Sequence, residues 1–404
     1  MTDRHGGRPP DRKARGATRA KSPTPGRSLE GLWRAVDPVR LRATLEEAVA
    51  VYSPSYAEAP AARVFAAVLE EAGFKVERQE VAPGPGGGPR CNLVARMGPQ
   101  PPAMLWVGHL DTIEAMHGFT APRIEGDVLY GLGAADMKGG CAAMVEAMAA
   151  LARIRAPLAR GLALGLVVGE EEYGDGAQAL IGAVHAPLVV VGEPTGLVPC
   201  ISHNGYREYQ LEAQGSRAHA AVPEFGANAI HAMLTWILAL FDGFLAPGLA
   251  HRVVANPREI QGGSTLFVVP AGCRAMLDVH WGPEVDPEAV HAAVERARLA
   301  ACRDHPLCGL AAKATFTSMG YENDPGDPLL TPLWRACTSA GLPAEPGIFR
   351  SHSDAAVFQR AGSLAVVCGP GRLEMAHSPE EQVSLGEVER AAKLYAALAW
   401  EALV

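Results

Sequence analysis

Apolar positions in this chain recur with two periods, and the places where the period changes outline its elements. From Asp37 onward, Leu41, Leu45 and Val49, then Ala62, Phe65, Val68 and Leu69, are spaced three and four apart, which predicts two helices. Residues 75–81 and 92–96 read as strands joined through the Gly/Pro run 83–89. Three later runs are apolar without interruption: Leu105-Trp106-Val107, then 162–168, then 188–191. An unbroken run fits a strand covered on both faces, as in a mostly parallel sheet. Helices are expected between these strands, at about 140–150 and from Gly176.

Beyond His203 the texture alternates. Residues 206–213 read as an antiparallel strand, 228–240 as a helix, 259–261 and 273–280 as strands, 287–301 as a helix and 312–316 as a last strand. That is a βαββαβ order inserted in a larger unit. The expected division is therefore one unit of 29–202 and 317–404, with 203–316 inserted in it as a second. A helix at 329–340, a strand at 364–368 and a final helix at 385–403 complete the α/β pattern.

Each continuous apolar run ends in groups able to do chemistry. They are Gly108-His109-Leu110-Asp111, Gly169-Glu170-Glu171-Glu172 and Gly192-Glu193-Pro194-Thr195. Alternation along a strand points His109 and Asp111 the same way. In an open α/β sheet the carboxyl ends of the strands are where ligands bind. Asp136 stands at a Gly-flanked helix entrance, Gly133-Ala134-Ala135-Asp136-Met137-Lys138-Gly139-Gly140, and His377 lies ahead of the last helix. Taken alone, Asp136 is an N-cap and His109 with Asp111 a satisfied polar pair. Jointly, the acids and histidines at one rim favour a site.

The chain has 404 residues, 48% hydrophobic and 20% charged, ample for a large core. Of its 36 basic and 44 acidic side chains, eight basic (Arg4, Arg8, Arg12, Lys13, Arg15, Arg19, Lys21, Arg27) and two acidic (Asp3, Asp11) fall in 1–28, leaving 28 against 42 in the body. An acidic body argues against a nucleic-acid partner. The tail, rich in Arg, Gly, Pro and Ser, cannot bury enough apolar surface to order itself and is expected to be disordered. The eight cysteines are scattered through apolar runs with no framework spacing, which reads as a cytoplasmic protein. No 18-residue apolar stretch or signal-type apolar core occurs, so neither a membrane span nor a secretory leader is expected.

The donor set suits a pair of divalent metals sharing one carboxylate. Asp136 is the candidate bridge, with His109 and Glu193 on one ion and Glu171 and His377 on the other. Imidazole with carboxylate favours zinc, with Co2+ or Mn2+ as alternatives. Asp111 is expected to hold the second ring nitrogen of His109. Glu170 is left as the general base that takes a proton from water and returns it to a leaving amine. A shift of one residue would move these roles to Glu171 as base and Glu172 as ligand. His117, His203, His280 and His352 read as polar contacts rather than ligands, with His352 the one that could face a substrate.

His109-Leu110-Asp111, Asp136-Met137-Lys138-Gly139-Gly140, Glu170-Glu171, Gly192-Glu193-Pro194-Thr195 and Ala376-His377-Ser378-Pro379-Glu380 together resemble the co-catalytic dinuclear zinc amidohydrolase and peptidase family. That family includes acetylornithine deacetylase, succinyl-diaminopimelate desuccinylase, aminoacylase and glutamate carboxypeptidase. The resemblance runs in order from about residue 37 to the C-terminus. It implies an α/β catalytic domain with a mostly parallel central sheet and an inserted ferredoxin-like lid that forms a homodimer. The reaction it implies is hydrolysis of the amide bond of an N-acyl amino acid, or of a small peptide, with no membrane partner. It also implies that a lid histidine reaches into the partner's site to steady the oxyanion, and the segment 215–223 makes His219 that residue. Two positions depart from the family pattern: Phe267 and His280 stand where relatives often carry an asparagine and an arginine. A binding protein that retains the fold without turnover is the rival reading.

Overall fold

The computed structural model describes residues 28–115, 121–263 and 265–404. The tail expected to be disordered, apart from Ser28, and His117 lie outside them. Helix entry follows side-chain chemistry. Ser28 accepts from Gly31 N–H ahead of Leu29–Ala35, and Asp37 accepts from Val39 and Arg40 N–H ahead of Pro38–Ala50. Pro38 sits where its missing N–H costs nothing.

The larger sheet runs, in spatial order, Glu77–Val81, Arg90–Met97, Gly161–Val167, Pro102–His109, Leu188–Pro194, Leu364–Gly369, Cys200–His203 and Tyr321–Glu322, with Gly347–Phe349 also pairing with Cys200–His203. From Gly161–Val167 to Leu364–Gly369 the four neighbouring strands are parallel. The outer pairings with Arg90–Met97 and Tyr321–Glu322 are antiparallel. Strand alternation sorts each continuous run onto two cores. Leu162, Leu164, Leu166 and Val168 pack with the helices Pro38–Ala50, Gly139–Arg153 and Leu385–Leu403. Ala163 and Val167 pack on the other face with Ala177, Leu180 and Phe358. Each such Leu or Val contributes about 1.5–3 kcal/mol. Polar side chains are therefore excluded until a strand reaches its rim, and the neighbouring strands ending at Val167, His109 and Pro194 reach theirs together.

A second, wholly antiparallel sheet has the order Val253–Gly262, Gly272–Trp281, Gly205–Gln214, Gly309–Ser318. The helices Ala229–Phe244 and Pro287–Asp304 pack against it around Trp236, Trp281 and Tyr209. Its last strand continues to Ser318, past the 316 expected from alternation, and His203 belongs to the larger sheet. A small third sheet of Arg123–Glu125, Val128–Tyr130 and Gln382–Ser384 was not anticipated, because three residues are too few to show a period.

One buried ion cluster ties the rim down. Arg90 is 5% exposed; its guanidinium donates to Glu58 Oε1 at 2.9 Å and to Asp175 Oδ1 and Oδ2 at 3.0 and 2.5 Å. Asp175 opens the helix Asp175–Ile181 directly after the turn 169–174, which carries the Glu triplet. Arg90→Met leaves two carboxylates facing each other without a cation. Urea unfolding should show a loss on the order of 3 kcal/mol, and a change below about 1 kcal/mol would show the cluster to be solvent-compensated.

Candidate metal centre

Two close approaches of backbone bring the rim groups together. Gly140, second residue of the helix Gly139–Arg153, lies so near the Glu193 strand that a Cβ on it would sit 2.2 Å from Gly192 O. Only glycine permits that packing, and it sets Asp136 beside Glu193. Asp136 itself occupies one wide helical turn, Ala134–Lys138, with extended rather than helical dihedrals (φ −119°, ψ 96°). Its side chain is not an N-cap. Glu381 holds the turn by accepting from the N–H groups of Ala135 and Asp136, both at 3.0 Å.

Asp136 presents its two oxygens to different histidines. Oδ1 lies 3.1 Å from His109 Nε2, and Oδ2 lies 3.4 Å from His377 Nε2. His109 Nε2 is also 3.8 Å from Glu193 Oε2, and His377 Nε2 is 3.0 Å from Glu171 Oε2. Ligand atoms of His109, Asp136 and Glu193, and of Asp136, Glu171 and His377, each fall within 4.8 Å of one another. Asp136 is common to both groups. The five residues expected to hold metals are thus brought together in two trios. His377 takes a left-handed backbone (φ 57°), uncommon for a non-glycine residue and the kind of strain that gathers at functional sites.

Glu170 stands beside the trios, its Oε2 4.0 Å from His109 Nε2 and its side chain 11% exposed. Glu171 faces His377, whereas Glu172 is exposed. Of the triplet, Glu171 and not Glu172 supplies a member of a trio.

Asp111 departs from expectation. His109 Nδ1 makes its hydrogen bond to the backbone carbonyl of Asp111 at 3.0 Å, while the nearest carboxylate oxygen is at 3.7 Å. That carboxylate instead accepts from the N–H groups of Glu170 and Glu171 at 3.2 and 3.0 Å, and from Ser55 Oγ at 2.8 Å. The chain bends after His109, where the strand ends, so period-2 alternation no longer applies. Asp111 fixes the turn that carries Glu170 and Glu171, and its main chain orients the imidazole.

His219 is not part of this cluster. It is exposed on a tip of the second sheet, where its Nδ1 accepts from Ala221 N–H at 3.2 Å. Phe267 lies on the same tip, 70% exposed and with φ 62°. Among the described residues His203, His280 and His352 form no metal trio; His280 and His352 gather with Tyr206 in an aromatic group between the two sheets, while His203 packs on Tyr321 and Phe349. Glu381 and Asp354, both buried, escaped the sequence reading. Glu381 had a signal, since it follows Glu380 after the His377 motif; Asp354 had none beyond its place in a polar loop.

Charge crowding shows that the donor set fits cations. Burial, reinforced by Asp136, pushes the Glu193 carboxyl up, and burial with Glu193 does the same to Glu170. Burial opposes protonation of His109, yet Glu193 and Asp136 carry that imidazole well above its ordinary value. Burial would raise Asp136 too, but His109 and His377 outweigh it and hold the carboxyl low. Glu193 Oε1 is buried without a hydrogen-bond partner. Four carboxyls against two imidazoles, with an acceptor left over, are what divalent cations neutralise.

His203 is buried and neutral, its Nε2 3.1 Å from Ser353 Oγ and its ring stacked 5.1 Å from Tyr321. Burial holds its pKa down at about 3. The unfolded chain takes up that proton below about pH 6.5 and the folded chain does not. This contribution to stability is complete above that pH and is lost as pH falls toward 3. The loss should be on the order of 2 kcal/mol between pH 8 and pH 5. Thermal melts of His203→Gln should fall less over that interval than those of the parent; equal falls would place the acid sensitivity elsewhere.

A mostly parallel α/β sheet gathers acids and histidines at its carboxyl rim into a candidate metal centre. The chain belongs to Peptidase family M20/M25/M40, whose model matches residues 105–401. It is 31% identical over 372 residues to an acetylornithine deacetylase of Myxococcus xanthus, covering 87% of this chain and 94% of that one. It is also 31% identical over 283 residues to a succinyl-diaminopimelate desuccinylase of Sphingopyxis alaskensis, covering 65% and 73%. An aminopeptidase structure from Bacillus cereus shares the fold at a TM-score of 0.73 and 22% identity, covering 91% and 99%.

Proposed function

We propose that this amide-bond hydrolase removes the acyl group from an N-acyl amino acid, using water activated at a dinuclear zinc centre. The observation that carries the reading is the split presentation of Asp136, one oxygen to each histidine. Asp136, His109 and Glu193 would hold one ion, and Asp136, Glu171 and His377 the other. Such ions, when bound, polarise the scissile carbonyl and acidify water. Glu170 then takes the proton at its carboxylate and returns it to the departing amine. Burial, with Glu193 beside it, raises that carboxyl above its ordinary value, which strengthens its hold on the proton it takes from water. Asp111 keeps Glu170 in place through the backbone N–H it accepts. The deacetylase and desuccinylase relatives support an N-acyl amino acid as substrate.

The units 29–202 with 317–404 and 203–316 are read as catalytic domain and dimerising lid. Exposed Leu238, Leu245, Phe225 and Phe267 on the latter support a homodimer, with His219 steadying the oxyanion in the partner's site. A sedimentation experiment giving a monomer at assay concentration would remove that role. All eight cysteines are unpaired, which supports a reducing, cytoplasmic setting. Among the described residues no helix is long and apolar enough to cross a membrane.

Metal analysis together with a panel of N-acyl amino acids and dipeptides tests the function. Two ions per chain with turnover of N-acyl amino acids is expected. Turnover confined to dipeptides would make it a peptidase, and ligand binding without turnover would make it a binding protein.

A further inference from the structure

We propose that the cavity beside Glu170 receives one substituent of the substrate and selects a flat, uncharged, hydrogen-bonding group over one that carries a carboxylate. The proposal rests on the hydrolase reading above and adds the chemistry of what is recognised.

The cavity has a volume of about 260 Å³ and opens between the two sheets, with Glu170 among its lining residues. Tyr173 and His352 come from loops of the larger sheet and Phe316 from the second sheet. Phe316 lies 5.9 Å, ring to ring, from both Tyr173 and His352. His352 is stacked on Tyr206 at 4.3 Å with the planes 9° apart, and His280 lies 4.7 Å from the same Tyr206 ring. Tyr206 is fixed in turn by its hydroxyl, which donates to Asp278 at 2.9 Å. The walls are therefore planar, aromatic and held in place, which favours a planar guest.

Polar atoms in this group lack partners. His352 Nδ1, His280 Nδ1 and Asp354 Oδ2 are all buried without a hydrogen bond, and His352 and Asp354 line the cavity. Buried polar groups are nearly always paired in folded proteins, and two of these unpaired ones belong to residues of the lining, so hydrogen-bonding capacity is left unmet directly behind the cavity wall. Burial pushes both imidazoles down, to about 3 for His352 and about 4 for His280, so both are neutral near pH 7. A neutral imidazole offers one N–H and one lone pair, a match for an amide, ureido or hydroxyl group.

A carboxylate meets a poorer match. The cation on the lining, Arg360, is exposed, and the carboxyls of Glu170 and Asp354 supply no positive charge. No buried guanidinium or ammonium lines the wall among the described residues, so the fork that grips a carboxylate in two places is missing.

The test uses two isosteric pairs on the metal-loaded enzyme: N-succinylalanine against N-succinamoylalanine, and N-acetylglutamate against N-acetylglutamine. In at least one pair the neutral member should have the higher kcat/KM by about tenfold. His352→Arg, checked for folding by its melting curve, should shrink or reverse that ratio by supplying a guanidinium. Anionic members equal to or better than their neutral partners in both pairs would overturn the proposal, whatever the variant does. If none of the four is turned over, nor any N-acyl amino acid, the hydrolase reading fails separately. Thermal-shift titration with the same four compounds then reads the cavity: stronger stabilisation by a neutral member supports it, and stronger stabilisation by both anions overturns it.

Discussion

Glu170→Gln should lower kcat by about 10²- to 10⁴-fold, the usual worth of a positioned general base, while metal content stays at that of the parent. The amide has the shape of the carboxyl but cannot take up a proton at neutral pH, so the chemical step loses its acceptor. Glu170 belongs to neither trio of ligand atoms, which are drawn from His109, Asp136, Glu193, Glu171 and His377. Its contact with the centre is a 4.0 Å approach to His109 Nε2. Steady-state kinetics and elemental analysis of the same preparation separate the possibilities. Near-parental kcat would show that the proton goes elsewhere, and loss of an ion would show Glu170 to be a ligand, returning the register of the Glu triplet to the shifted alternative.

Asp136→Ala should have the broadest effect on the centre, because its side chain is the only one shared by both trios. Metal content should fall at both positions together and activity should drop to background, a loss beyond about 10³-fold. Removing a ligand of one trio alone, as in Glu193→Gln, should weaken one ion far more than the other. The turn itself should survive the substitution, since Glu381 holds it through the backbone N–H groups of Ala135 and Asp136 and not through the Asp136 side chain. Chelator titration of the two variants is the comparison to make. Two ions held as tightly in Asp136→Ala as in the parent would end the bridging assignment.

The deviations from expectation share a cause. Asp111 was read from alternation along a strand, but the strand stops at His109 and the next residues turn, so its carboxylate meets the Glu170 turn and its carbonyl meets His109. Arg90, Glu58 and Asp175 gave no signal, because three charged residues at ordinary spacing look like solvated surface until folding closes them on one another. The aromatic group of Tyr206, His280, Phe316 and His352 likewise draws on four separate segments.

What the chain's order of residues determined by itself is everything governed by local period and local chemistry. Continuous apolar runs made the buried parallel strands and put His109, Glu170 and Glu193 at strand ends. Alternation beyond residue 203 marked the second sheet, and the types of the five candidate ligand residues suited a dinuclear centre. Only the tertiary structure decided which oxygen faces which histidine, that Glu381 and Asp111 brace the turns, and that the His352 imidazole lines the cavity beside Glu170. Those outcomes depend on which strands lie side by side and how closely Gly140 lets a helix approach, and the pairing energy that settles them is shared among residues as far apart as 136 and 377. No local pattern carries that information, because hydrogen bonds and burial across a sheet are satisfied only once the whole sheet has formed.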